Sequence, residues 1–305
     1  MSRPEPIRTR EEFEASGLPG LPETLPRPVA DSHTHIDSTT EYSGLDAALS
    51  LDLAAEVGVS HVVQIGCDVD SSRYAVELAA REPRVVAAIA MHPNDAARAG
   101  DNLPAHLEAI AALAAAGSHV RAVGETGLDF YRTRDADAQQ RQRTSFAFHI
   151  DLAKQHDLTL VVHDRDAHPA ILEVLDAEGA PDRVVMHCFS GDAEFARQCV
   201  ERGFWLSFPG VVTFSSAGSL REALAVTPDE QLLVETDAPY LTPAPVRGRP
   251  NAPYLVPHTV RFVADQRGVG DPDGLAGLCD QLLANTFAAF GGAWGAAADG
   301  GAQHG

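Results

Sequence analysis

Lysine is almost missing from this 305-residue chain: Lys154 is the single example, and the remaining basic side chains are arginine. The formal net charge of −20 excludes a broad electropositive face that could hold long duplex DNA by counterion release. It leaves open a pocket for a nucleic-acid end, where nearby groups and bound metals set the field. Cysteine is scarce too. Cys67, Cys188, Cys199 and Cys279 are widely separated and form no CxxC pair, which excludes a disulfide framework and suits a reducing compartment. No apolar run reaches the length of a membrane span, and no apolar stretch follows the basic residues of the N-terminus. A cytoplasmic protein without membrane association is expected, and no obligate protein partner is evident.

Repeats and interdomain linkers are also absent. Residues 1–27 carry five prolines and read as an irregular leader. Residues 291–305, GGAWGAAADGGAQHG, read as a disordered Gly/Ala tail. Between them, over 28–290, short β-branched runs alternate with helical patterns. The expected strands are 28–35, 59–66, 84–92, 119–126, 158–163, 183–188, 203–208 and 231–237. Strands fed by helices imply parallel crossovers, and eight such units fit a single (β/α)8 TIM barrel of the α/β class. A doubly wound open sheet is the alternative.

The chemistry-bearing residues fall at the strand ends. His33 and His35 close the first strand, His92 the third, Glu125 the fourth, His163 the fifth, His187 the sixth, and Glu235 and Asp237 the eighth. In a barrel those ends open onto one face, the face that carries active sites. One histidine ending a strand is ordinarily structural, as expected for His149, His156, His258 and His304. In His33-x-His35 both side chains project to the same side. Four histidines and two carboxylates on one rim would lack partners without a cation. Six ligands exceed a single catalytic zinc site and divide into two sets. His33, His35 and Asp237 would hold one ion, His163 and His187 the other, with Glu125 as the bridge. A carboxylated lysine cannot serve, because Lys154 lies within an expected helix.

DSHTHID, MHPND, GETGLDFYR, HDRDA, HCFSG, SFPGVVTF, ETDAPYL and RGRPN resemble, in order, the signature blocks of the TatD family of metal-dependent deoxyribonucleases. The resemblance covers residues 30 to about 255. It implies an amidohydrolase-like barrel, a divalent metal centre and phosphodiester hydrolysis of DNA, with 3′-5′ exonuclease action in some members. It carries the metal ligands onto His33, His35, Glu125, His163, His187 and Asp237, and further active-site roles onto His92 and Glu235. Asn94, Asp164, Pro209 and Ala252 depart from the family pattern in loops around the pocket, which bears on substrate preference.

The expected reaction is metal-dependent hydrolysis by an activated water, with Asp237 accepting its proton. Mg, Mn and Zn all suit the imidazole and carboxylate ligands. Arg165, Arg247 and Arg249 are candidate phosphate contacts. Tyr131 and Phe130 are candidate base-stacking residues, and Thr213, Ser215 and Ser216 a weaker phosphate-binding signal. Asp31 is a candidate to orient a ligand histidine. Cys188 is expected to be structural rather than nucleophilic. DNA or a short oligonucleotide, single-stranded or at an end, is the expected substrate; an ester or amide hydrolase, such as an aminoacyl-tRNA deacylase or a small-molecule amidohydrolase, is the alternative.

Overall fold

The computed structural model describes residues 4–295. Eight strands pair in parallel in chain order: β1 Val29–Thr34, β2 Val59–Ile65, β3 Val85–Ile89, β4 Val120–Asp129, β5 Thr159–Arg165, β6 Val184–Met186, β7 Trp205–Phe208 and β8 Leu232–Val234. The ring is completed by the chain just past β8. The Asp237 N–H donates to the His33 carbonyl, the His35 N–H to the Ala238 carbonyl (both 2.9 Å), and Thr34 bridges Ala238. The sheet is therefore a (β/α)8 barrel, as the alternation of strand and helix signals implied.

Several return helices start at an aspartate whose side chain caps the first turn, among them Asp46, Asp68 and Asp192. The longest, Ala136–His156, starts at Asp135, whose side chain accepts from the Ala138 N–H, and stops at Asp157 in the left-handed region (φ 51°). Two apolar layers hold the barrel. One lies between strands and helices. The other fills the interior with Val63, Ile65, Val86, Val161, Val185 and Leu233, and is plugged from below by Phe290 and Trp294. That plug leaves the opposite end, where the strands finish, for polar side chains.

Both chain ends differ from a plain irregular leader and tail. The leader contains a capped helix, Arg10–Ala15. Ile7 bridges Leu45, Phe13 packs edge-on against Tyr254, and the Tyr254 hydroxyl donates to the Pro19 carbonyl at 2.9 Å. Of the expected tail, Trp294 is buried and its Nε1 faces the Arg84 carbonyl at 3.4 Å; residues 296–305 lie outside the described residues. Among the described residues no helix is long and apolar enough to cross a membrane.

Candidate metal centre

The rim histidines and carboxylates meet at the C-terminal mouth of the barrel. His33 Nε2 and His35 Nε2 lie 3.3 Å apart, and each approaches Asp237 Oδ1, at 3.7 and 3.5 Å. Glu125 stands between this pair and the later strands. Its Oε1 is 3.6 Å from His33 Nε2 and 3.4 Å from His35 Nε2. Its Oε2 is 3.1 Å from His163 Nδ1 and 2.9 Å from His187 Nε2. One carboxylate thus gives one oxygen to each of the two ligand sets expected from the sequence.

Glycine makes that placement possible in β4. Gly127 has φ 134°, and a Cβ there would stand 2.1 Å from the His163 carbonyl oxygen, so a larger residue would push β4 off β5. Asp237 is likewise turned inward from a left-handed backbone, φ 53°. Asp31 helps hold that turn: it accepts from the Thr236 N–H at 2.9 Å and the Thr236 hydroxyl at 2.5 Å. It also accepts from the His33 N–H, so it orients backbone and not, as anticipated, an imidazole.

The donor set fits divalent cations. Two ring nitrogens 3.3 Å apart must share a proton or bind a common cation. Buried His33 Nδ1, His163 Nε2, His187 Nδ1 and Glu235 Oε2 have no hydrogen-bond partner. Without a cation the cluster must charge itself. Burial opposes protonation of His187, but Glu125 and Glu235 push its pKa well up. Burial likewise opposes ionisation of Glu125, yet His187, His92 and His163 hold its carboxyl well below the usual range. Ligand-atom groups suited to a cation include His33, His35 and Asp237, and also His92, Glu125 and His163.

His92 and Glu235, whose ligand atoms also come close to these groups, are engaged differently. The Asn94 N–H donates to His92 Nδ1 at 3.0 Å, so the neutral ring carries its proton on Nε2, which faces Glu125 Oε2 at 3.7 Å. Burial lowers the His92 pKa to about 3. Glu235 is wholly buried beneath the imidazoles, where its Oε1 accepts from the Cys188 N–H at 2.7 Å. Burial also pushes the Cys188 thiol well up, which matches a structural cysteine.

Around the mouth, Arg165 lies 4.2 Å over the ring of Tyr131, which is 51% exposed, and Arg247 lies 4.0 Å over Phe214. Phe130 is partly buried against the core instead. The Arg249 guanidinium is engaged with the leader, donating to the Gly17 carbonyl, which removes it from the free phosphate contacts. Thr213 is likewise occupied, donating to the Gly210 carbonyl and accepting from the Ala244 N–H, while Ser215 and Ser216 are exposed.

Two residues at the centre escaped the sequence reading. Asp129 Oδ2 faces His163 Nε2 at 3.6 Å and accepts from Asn94 Nδ2 at 2.9 Å. Burial opposes its ionisation, but these contacts and the Arg132 N–H hold its pKa low. Its signal was the GETGLD run continuing past Glu125. Cys67, two residues past β2, sets Sγ 3.4 Å from Glu125 Oε1 and 3.7 Å from His35 Nδ1. Cys67 thus gives β2, which had no expected ligand, a side chain at the centre.

Known proteins share sequence and fold with this chain. The family model described as TatD related DNase matches residues 30–291. A Mycobacterium tuberculosis protein named an uncharacterized metal-dependent hydrolase TatD is 45% identical over 240 residues, 78% of this chain and 89% of that protein. A Salmonella typhimurium protein named 3′-5′ ssDNA/RNA exonuclease TatD is 35% identical over 241 residues, 77% of this chain and 90% of its own length. The crystal structure of the Escherichia coli TatD homologue YJJV superposes with a TM-score of 0.76 at 29% identity, covering 86% of this chain and 97% of that one.

Proposed function

Because this chain belongs to the TatD-related DNase family of metal-dependent hydrolases, we propose that it cleaves phosphodiester bonds of DNA at single-stranded ends, as a 3′-5′ exonuclease. The observation that carries the reading is the split of Glu125, one oxygen towards His33 and His35 and the other towards His163 and His187. His33, His35 and Asp237 would hold one divalent ion, and His163 and His187 a second, with Glu125 shared. Bound there, such ions polarise a phosphoryl oxygen and make a water nucleophilic near neutral pH.

The protein's own groups supply the rest. Asp237 is the proton acceptor for the attacking water, since its side chain is 14% exposed against 5% for Glu125 and none for Glu235. His92 Nε2–H, 3.7 Å from Glu125 Oε2, is a donor for a phosphate oxygen bound at the centre. Arg165 offers a planar donor fork to phosphate while its other face rests on Tyr131, leaving the exposed tyrosine to stack on a base. The relative named for single-stranded DNA and RNA supports this substrate class.

The test is an assay of the protein loaded separately with Mg²⁺, Mn²⁺ and Zn²⁺. The substrates are end-labelled single-stranded DNA, duplex DNA, an RNA oligomer and an ester and amide panel. Stepwise, chelator-sensitive loss of 3′ nucleotides from single strands is expected. Turnover of the ester or amide panel with no metal-dependent cleavage of nucleic acid would overturn the assignment.

A further inference from the structure

His33 and His187 belong to different ligand sets, yet their rings are stacked, with centroids 3.7 Å apart and planes 11° from parallel. Both direct Nε2 at Glu125, at 3.6 and 2.9 Å, so both Nδ1 edges turn away from the mouth. On that far side lies Glu235. Its Oε1 is 3.4 Å from His187 Nδ1, and a ligating atom from each of His33, His187 and Glu235 falls within 4.8 Å of the others. His33 Nδ1, His187 Nδ1 and Glu235 Oε2 all lack hydrogen-bond partners, and the three residues are at most 4% exposed.

Unpartnered buried polar atoms on three side chains this close are costly unless they satisfy one another. When the Nε2 atoms bind cations, each imidazole must carry its proton on Nδ1, and a carboxylate is the acceptor that fixes that tautomer and raises ligand basicity. We infer that Glu235 is a shared positioning residue: one carboxylate accepts from His33 and His187 together and so couples the two metal sites. This rests on the two-ion reading above. It assigns Glu235 no contact with substrate. Loading one site turns one Nδ1–H towards Glu235 and pre-sets the carboxylate for the other ring, so the two ions bind cooperatively.

Metal binding itself is the readout. The chelated protein is titrated calorimetrically with Mn²⁺, and the Co²⁺ form is examined by proton NMR for paramagnetically shifted, solvent-exchangeable imidazole N–H signals. Glu235→Gln keeps the shape but leaves one acceptor oxygen. Affinity for both ions should fall about 10- to 100-fold and cooperativity should be lost. Two exchangeable N–H signals of the parent should move in the variant. Should Glu235→Gln fail to fold, Glu235→Asp, which retains the carboxylate, should weaken both ions by a smaller factor. Two ions in the parent, with only one weakened in the variants or only one N–H signal moved, would overturn the shared role alone. A parent that binds a single ion would remove the two-ion reading and this inference with it.

Discussion

Glu125 in β4 and His187, one residue past β6, meet at 2.9 Å between Oε2 and Nε2, while the second oxygen of Glu125 turns towards His33 and His35. Glu125 is the carboxylate set between the two halves on the mouth side. Removing it should therefore act on both. Glu125→Ala is expected to lower metal affinity more than roughly 100-fold, beyond what loss of an outer partner costs. Metal content after gel filtration checks this; two ions retained with parental affinity would show that Glu125 is no bridge.

Asp129 supports His163 from behind, held in turn by Asn94. Asp129→Ala should reduce metal affinity and turnover by about 10- to 100-fold with the fold intact, and Asp129→Asn by less, since the amide still accepts. Titration with Mn²⁺ beside circular dichroism separates the two effects. Unchanged affinity in the alanine variant would leave Asp129 a structural group.

The rim makes a contrast within one experiment. Tyr131→Ala and Arg165→Ala should raise KM for an oligonucleotide about 10-fold, in line with stacking worth about 1–3 kcal/mol per base. Arg249→Ala should leave KM unchanged, because its guanidinium serves the Gly17 carbonyl. Equal effects from all three would return Arg249 to the substrate side.

Acid should destabilise the metal-free protein through His149, which lies outside the metal centre. The Met91 N–H donates to His149 Nε2 at 3.3 Å, so the neutral ring donates from Nδ1 to Thr126 Oγ1 at 2.8 Å. Burial lowers its pKa to about 3. The unfolded chain therefore takes up this proton first, and the stability present above pH 6.5 drains away as pH falls towards 3. Between pH 7.5 and 5.5 the loss from this group is about 1.4 kcal/mol. Urea denaturation of chelated parent and His149→Gln at both pH values checks it; an identical pH dependence would exonerate His149.

Much of this architecture is readable from the chain. All eight strands appear where β-branched runs alternate with helical segments, and His33, His35, Glu125, His163, His187 and Asp237 converge because parallel strands end on one face. What escaped was local continuation and distant contact. β4 runs to Asp129, three residues beyond its expected end, so the carboxylate behind His163 fell outside the strand. Asp31 sits on the correct face but spends its oxygens on Thr236 across the seam of the ring. Arg249 is engaged by a carbonyl 232 residues away, a contact no local pattern can reveal.

At the closed end, Trp294 fills the barrel floor with Phe290. Trp294→Ala should cost about 3–5 kcal/mol of stability and leave metal affinity unchanged, since it lies opposite the mouth. Chemical denaturation and Mn²⁺ titration measured together would expose any coupling between the two ends.

The leader also sets an order of events during synthesis. Its first anchors, Leu45 for Ile7 and the Val57 carbonyl for the Leu25 N–H, leave the ribosome early. Others, Arg249, Tyr254 and Arg261, emerge only when the barrel is nearly complete. The leader, made before the barrel, is thus among the last segments to lock, and it does so by closing onto Arg249, Tyr254 and Arg261.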